Sequence, residues 1–268
     1  MGLFFDLSSP IESAIVEMGT SMIIQLKGVE KTLGEQPVLQ GVDLDIPKGD
    51  ITTIIGPSGE GKSVLLKHMI GLMRPDRGQV LVDGVDLAKI HDHELNEIRK
   101  KFAMLFQSAA LFDSINVFDN VAFPLREKRL ISESDVQKYV PEMLERVGLG
   151  NMGHKFPAEL SGGMKKRAGL ARALVMGPEI ILFDEPTTGL DPLMAHAIHD
   201  LIVAMHKTFG FTGIMVSHEI PKIFPISDWV AMLKNGKILA VERSVDFQRL
   251  SDPLVREFIM IPNDMAIR

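Results

Sequence analysis

Gly56-Pro57-Ser58-Gly59-Glu60-Gly61-Lys62-Ser63 follows without a break on Ile51-Thr52-Thr53-Ile54-Ile55 and leads into Val64-Leu65-Leu66-Lys67-His68-Met69. The first five residues are short, β-branched and almost wholly apolar, as expected of a strand buried on both faces of a parallel sheet. The octapeptide fits G-x-x-x-x-G-K-[ST], and a strand before it with a helix after it is the context that pattern requires. Gly56, Pro57, Ser58, Gly59, Glu60 and Gly61 are expected to form a phosphate cradle, with the N–H groups of Gly59, Gly61, Lys62 and Ser63 pointing at the anion. Lys62 should reach the β and γ oxygens, and the Ser63 hydroxyl should bind Mg²⁺ beside ATP. A chance glycine turn does not explain the flanking strand and helix.

Composition limits the alternatives. The chain has 268 residues, 46% of them hydrophobic, enough for a real core. Its net charge of −6 is spread along the chain, so no basic field points to nucleic acid, and an anion site must be local. With no cysteine there is no disulfide, thiolate metal site or cysteine nucleophile. No run approaches the roughly 18 apolar residues of a membrane span. Residues 1–21 carry Asp6 and Glu12 and no basic start, so they fail as a signal peptide; they read as an extension, partly ordered or used for docking. Gly2 is followed by Asp6 where a myristoylation site takes Ser or Thr.

Outward from the glycine loop, MIIQLKGV from Met22 and GVDLDI with alternating Val42, Leu44 and Ile46 predict an N-terminal antiparallel sheet bounded by Pro37 and the turn at Pro47 to Gly49. Asp83-Gly84 and Asn235-Gly236 predict hairpins. The helix after the glycine loop is expected over Val64 to Met73, and a second core strand over Phe102 to Gln107. Residues 108–160 read as an inserted helical subdomain broken at Pro124, Pro141 and Pro157. A helix from Ser161 to Val175, the strand in EIILFDE, a helix from Pro192 to Lys207 and the strand in TGIMVSH complete a βαβ pattern. The ATPase unit is expected over residues 22–250, with a tail over 251–268. The fold class is α/β: a P-loop NTPase with a RecA-like parallel sheet, an antiparallel β subdomain and an α-helical insert.

Further chemistry lies where strands end. Ile180 to Pro186, IILFDEP, delivers two carboxylates from a buried strand, a costly place for charge unless a metal or a proton transfer uses it. Asp184 suits the Mg²⁺ shell and Glu185 the general base that activates water. His218 ends another strand, within reach of a γ-phosphate; Gln107 ends a third, its amide suited to Mg²⁺ or the water. Leu160 to Arg167, LSGGMKKR, is a second anion-binding helix start with Ser161 as N-cap. Of Lys165, Lys166 and Arg167, at least two read as solvated surface charge. His91 with His93 and His196 with His199 have metal-like spacing but no converging ligand set, and the sixteen methionines read as packing residues.

The ordered set of GPSGEGKS, Gln107, LSGGMKKR, IILFDEP, TGLD and His218 resembles the ATP-binding cassette (ABC) ATPases over roughly residues 22–245. That resemblance implies a head-to-tail homodimer in which Ser161, Gly162, Gly163 and Met164 face the ATP held by the other copy, with Asp191 communicating across the dimer. It also implies an integral membrane permease coupled through the Gln107 loop, and a peripheral position on the cytoplasmic face of the inner membrane. Leu33 stands where many cassettes stack an aromatic on adenine. Met104 to Glu127 together with LSGGMKKRAGLARAL is similar to the ATPase subunits of Mla-type, Mce-linked phospholipid transporters, where Met in place of the usual Gln is typical at position 164. A STAS-domain protein and a periplasmic Mce lipid-binding protein are the further partners so implied. Cassettes for an amino acid or lipoprotein and soluble cassettes acting on ribosomes or DNA are the rivals; the latter usually carry two cassettes, long inserts or zinc cysteines.

Overall fold

The computed structural model describes residues 21–129 and 131–260. The expected extension falls outside the described residues except for Ser21, as does the tail beyond Met260.

Two sheets organise the chain. The first has the order β2-β1-β4-β5, with β1 over Met22–Leu33, β2 over Gln36–Pro47, β4 over Arg77–Val82 and β5 over Val85–Asp86. Leu26 faces Leu44 and Val29 faces Val42, placing the apolar alternation of both strands on one buried side. Pro37 lies inside β2 rather than bounding it; β2 is an edge strand, where a missing N–H costs no ladder bond. Asp83 and Gly84 both take positive φ, 47° and 78°, as a two-residue hairpin turn demands.

The second sheet has the order β10-β9-β3-β8-β7-β6, from β3 (Ile51–Ile55), β6 (Phe102–Leu105), β7 (Ile180–Asp184), β8 (Thr212–Val216), β9 (Trp229–Lys234) and β10 (Lys237–Arg243). It is parallel from β6 through β9, and β10 returns antiparallel from the Asn235-Gly236 turn. All five residues of β3 are buried, Thr52 and Thr53 included, which explains why its β-branched run shows no alternation with exposed positions. Parallel pairing puts the ends of β3, β6, β7 and β8 along one carboxyl edge, where open α/β sheets hold their ligands.

Helices cover the faces. α1 (Lys62–Met69) and the antiparallel sheet close one side around Leu65, Leu66, Ile24 and Val82. α2 (Asp92–Arg99) packs Leu95 on the same cluster. The other side holds α3 (Val117–Glu127), α4 (Glu133–Arg146), α5 (Gly162–Leu174) and α6 (Pro192–Phe209), around Val121, Val140, Leu170, Phe183 and Ile198. The expected breaks at Pro124 and Pro141 do not occur, because both prolines lie inside helices. An interior proline costs about 3 kcal/mol, and here the apolar faces outweigh it: Val117, Val121 and Leu125 on α3, and Val136, Val140, Met143 and Leu144 on α4, are all buried. Pro157 does begin a separate 3₁₀ turn, Pro157–Glu159. Beyond β10, α7 (Ser244–Phe247) and α8 (Pro253–Met260) pack Phe247 and Val255 against the outer end of the sheet.

Candidate nucleotide site

The glycine loop leaves β3 against the backbone of β9. A Cβ on Gly56, where φ is 151°, would stand 2.1 Å from the Leu233 carbonyl oxygen, so only glycine fits there. Gly61, at φ 94°, would drive a Cβ to 2.7 Å from Val38. Between them the loop doubles back, and Lys62 opens α1 with its ammonium folded over the loop. Lys62 Nζ donates to the Gly56 and Pro57 carbonyls, both at 2.8 Å. Burial pushes its pKa down, while Glu185, Glu60 and Asp184 pull it up. Glu60 points away, its carboxylate accepting from the Asn235 N–H. Leu33, Gln36, Val38, Gly59, Lys62 and Glu185 are among the residues lining a cavity of about 350 Å³ over the loop. Leu33 thus sits at this cavity's wall as an apolar, 41% exposed side chain.

The end of β7 supplies the acids. Ser63 Oγ donates to Asp184 Oδ1 at 2.9 Å, so the two oxygens proposed for Mg²⁺ are adjacent. Among the described residues no group of three or more His, Cys, Asp or Glu is placed to hold a metal. A hydroxyl beside one carboxylate fits a hard cation that draws its other ligands from phosphate oxygens and water. His91 instead caps α2, and His199 is buried on the inner side of α6, to which it belongs.

Glu185 is held on every side. Its φ is 48°, left-handed and uncommon for a side chain of this size. Its N–H donates to the Val216 carbonyl at 3.1 Å. One carboxylate oxygen lies 3.2 Å from His218 Nδ1 and the other accepts from Thr188 Oγ1 at 3.0 Å. His218 holds the Glu185 carboxyl below the ordinary glutamate range, and Glu185 in turn raises the histidine. The sign follows from both directions. The depressed glutamate stabilises the fold above its unfolded pKa of about 4.5, and the raised histidine stabilises it until pH climbs through its folded value. His218→Ala should therefore cost about 1 kcal/mol near pH 6, a partly exposed pair being screened, and clearly less near pH 9. Urea melts at the two pH values check this; an equal loss at both would remove the ion pair from the account. Thr188 opens the TGLD turn named in the sequence, but its hydrogen bond to Glu185 is visible only in the fold.

Gln107 lies just past β6, which ends at Leu105, two residues earlier than expected. Its side chain is exposed on the same carboxyl edge, in the loop that leads to the helical insert. Ser161 caps α5, its Oγ accepting from Met164 N at 3.3 Å. Gly163 is glycine for close packing as well as for a bare backbone, since a Cβ there would come within 2.8 Å of Met194 Cε. Gly162 and Ser161 are exposed, and Met164 packs half-buried against the core. Asp191 caps α6, accepting from Leu193 N and Met194 N at 3.1 and 3.0 Å. Within one subunit the Ser161 helix start is not among the residues lining the cavity over Lys62.

The basic run after Met164 differs from its sequence reading. Lys166 is only 5% exposed, with its ammonium on the Gln107 carbonyl and 3.5 Å from that of Glu185. Arg167 donates to Val147 O at 3.0 Å. Two of the three cations are thus tied to backbone, not solvated, because α5 lies between the central sheet and the other helices, where carbonyls need donors. Asn120, fully buried, likewise binds Phe112 N and the carbonyls of Phe112, Ile115 and Asn116, fixing the loop beyond Gln107.

Residues 39–188 match the family model described as ABC transporter. The chain is 39% identical to the intermembrane phospholipid transport system ATP-binding protein MlaF of Haemophilus influenzae, over 92% of this chain and 93% of that one, and equally identical to MlaF of Escherichia coli over 91% of each. It is 43% identical to the probable ribonucleotide transport ATP-binding protein mkl of Mycobacterium leprae, over 90% of this chain and 70% of the relative. Among solved structures, the dimeric post-hydrolysis state of the ATP-binding cassette MJ0796 bound to ADP and Pi superposes with a TM-score of 0.74 at 32% identity, covering 82% of this chain and 98% of that one. The cassette cbiO1 of Clostridium perfringens gives 0.79 at 27% identity, over 91% and 97%. A glycine loop under a folded-over lysine, a paired strand-end acid and histidine, and similarity sustained along nine-tenths of its length lead to one conclusion: the chain belongs to the ABC transporter family, as one of its ATPase subunits.

Proposed function

We propose that this ATPase works as a head-to-tail homodimer that powers an inner-membrane permease moving phospholipid between envelope membranes. The observation that carries the cargo class is the end-to-end similarity to MlaF, which spans nine-tenths of both chains. The mycobacterial relatives, named for ribonucleotide transport, support the other cargo; they extend beyond this chain, which covers 70% of the first.

In this reading Lys62 exchanges the Gly56 and Pro57 carbonyls for phosphate oxygens, and the loop N–H groups hold the rest of the anion. Leu33 gives the base apolar contact without stacking. Ser63 and Asp184 hold Mg²⁺, which when bound neutralises charge on the β and γ phosphates; the Gln107 amide reaches the same ion or the water. Glu185 accepts the proton of the attacking water, and His218 holds that carboxylate and reaches toward the γ-phosphate. The bare N–H groups at Ser161, Gly162 and Gly163, with Met164 beside them, come from the second copy. Stabilising the transferring phosphoryl group from both chains makes ATP the adhesive of the dimer. Asp191, at the neighbouring turn, faces the partner in that arrangement.

Permease docking is assigned to the groove beyond Gln107. Phe106, Phe112 and Phe123 are 40%, 44% and 44% exposed around a cavity of about 320 Å³ floored by Met104 and Met176. Exposed aromatics gathered in one hollow mark an interaction surface. Docking there puts the chain on the cytoplasmic face of the membrane, with a STAS-domain protein and a periplasmic Mce protein completing the system; among the described residues no helix is long and apolar enough to cross a bilayer itself. Purification of the tagged full chain from its own membranes in mild detergent tests this. Mass spectrometry should find a permease, an Mce-domain subunit and bound phospholipid; an amino-acid or nucleotide permease without an Mce protein would overturn the lipid reading.

A further inference from the structure

One face of α5 grips the loop that carries Gln107. Lys166, Gly169 and Arg172 are spaced i, i+3, i+6 and share that face. Arg172 donates to Ala110 O at 2.8 Å and Ala109 O at 2.9 Å, two consecutive alanines with left-handed φ of 48° and 60°. Such residues persist only where their surroundings hold them. A Cβ on Gly169 would meet Leu105 Cδ1 at 2.9 Å and the Ala109 carbonyl oxygen at 3.3 Å, so glycine lets helix and loop touch. Lys166 then spans the gap to both Gln107 O and Glu185 O. Helix and Gln107 loop are therefore bonded as one body, and a buried ammonium joins that body to the left-handed residue whose carboxylate faces the glycine loop.

The same helix begins at Ser161. Five residues, about 7 Å along a helix axis, separate that N-cap from Lys166. We infer that Lys166 is a positioning residue that couples the two sites of the dimer: when Ser161–Gly163 engage the partner's ATP, the shift of α5 is delivered through Lys166 to Glu185 of its own chain. The inference rests on the head-to-tail arrangement proposed above and deepens it. Each glutamate is aligned only when its own helix has closed on the other nucleotide, so neither ATP is hydrolysed in a half-closed dimer. Burial pushes the Lys166 ammonium below the ordinary lysine range, and Glu185, Asp184 and Glu219 pull it partly back.

Mixed dimers of differently tagged full chains, purified with the membrane complex, separate the routes. Lys166→Met in both chains should lower kcat about 10- to 100-fold with KM for ATP within about threefold, as expected when a reacting group is misplaced but binding is kept. Lys166→Arg, which keeps charge and donors, should recover most of the rate. In dimers with a single Glu185→Gln chain, Lys166→Met should slow hydrolysis when placed on the chain that retains Glu185, and not when placed on the chain that has lost it. Slowing in the reverse placement, equal slowing in both, or none in either would overturn the inference. Ser161→Ala placed in each chain in turn reports separately on the dimer: it should impair the opposite chain's site by removing a contact to ATP and its own chain's site by removing the shift that aligns Glu185. Impairment of the opposite site alone would overturn the coupling. If it impairs its own chain's site and leaves the opposite site untouched, the head-to-tail reading fails and the inference falls with it.

Discussion

Glu185→Gln is expected to bind ATP, close the dimer and stall. The glutamine keeps an oxygen for Thr188 and the size that fits beside His218, but it cannot take a proton from water. Loss of a general base costs about 10² to 10⁴ in rate. Phosphate release should fall by that factor while the ATP-bound dimer accumulates in size-exclusion chromatography. An unchanged turnover would remove Glu185 from the role of base and return the question to His218, the other proton-carrying group in contact with it. The low proton affinity imposed by His218 fits a group that must be ionised before water arrives.

Lys62→Met separates binding from chemistry on the other side of the same site. Charge-assisted hydrogen bonds to an anion are worth about 1.5–3 kcal/mol, so ATP affinity should weaken about 10- to 100-fold. Removing a donor that follows charge into the transition state should lower the rate a further 10²- to 10³-fold, roughly. The fold should stand, because methionine replaces the apolar stem of the side chain and burial disfavours the ammonium it removes. Titration with a fluorescent ATP analogue, set against phosphate release at saturating ATP, checks both numbers; full affinity with full turnover would refute the cradle.

What was legible was local in the chain. The run from Ile51 to Ser63 declares a buried strand, a left-handed loop and a helix start within thirteen residues, and β7 with its two acids is equally self-contained. Residues whose meaning depends on distant partners were read wrongly or missed. Lys166 looked like surface charge because its carbonyls come from residues 107 and 185. Pro124 and Pro141 looked like breaks because the faces that offset them are completed by α5 and the sheet. Thr188 and Asn120 were missed for another reason: their partners are near in the chain, three and four to eight residues away, but the bonds depend on how the turns between them fold. The glycines at 56 and 163 were read as part of anion sites, yet the Leu233 carbonyl leaves no room for a Cβ at 56, and one at 163 would have to push aside the end of the Met194 side chain.

The central strand β3 is flanked by β8 and β9, and Glu60 of the loop it carries is held by Asn235. During synthesis the ribosome releases the glycine loop early, but every one of those neighbours is made after residue 211. The antiparallel sheet can form while its chain is still growing, since its strands all lie before Ala88. The nucleotide cradle cannot. A chain halted before Thr212 has neither strand beside β3, so prematurely terminated copies are expected to hold nucleotide poorly and not to compete with finished ones.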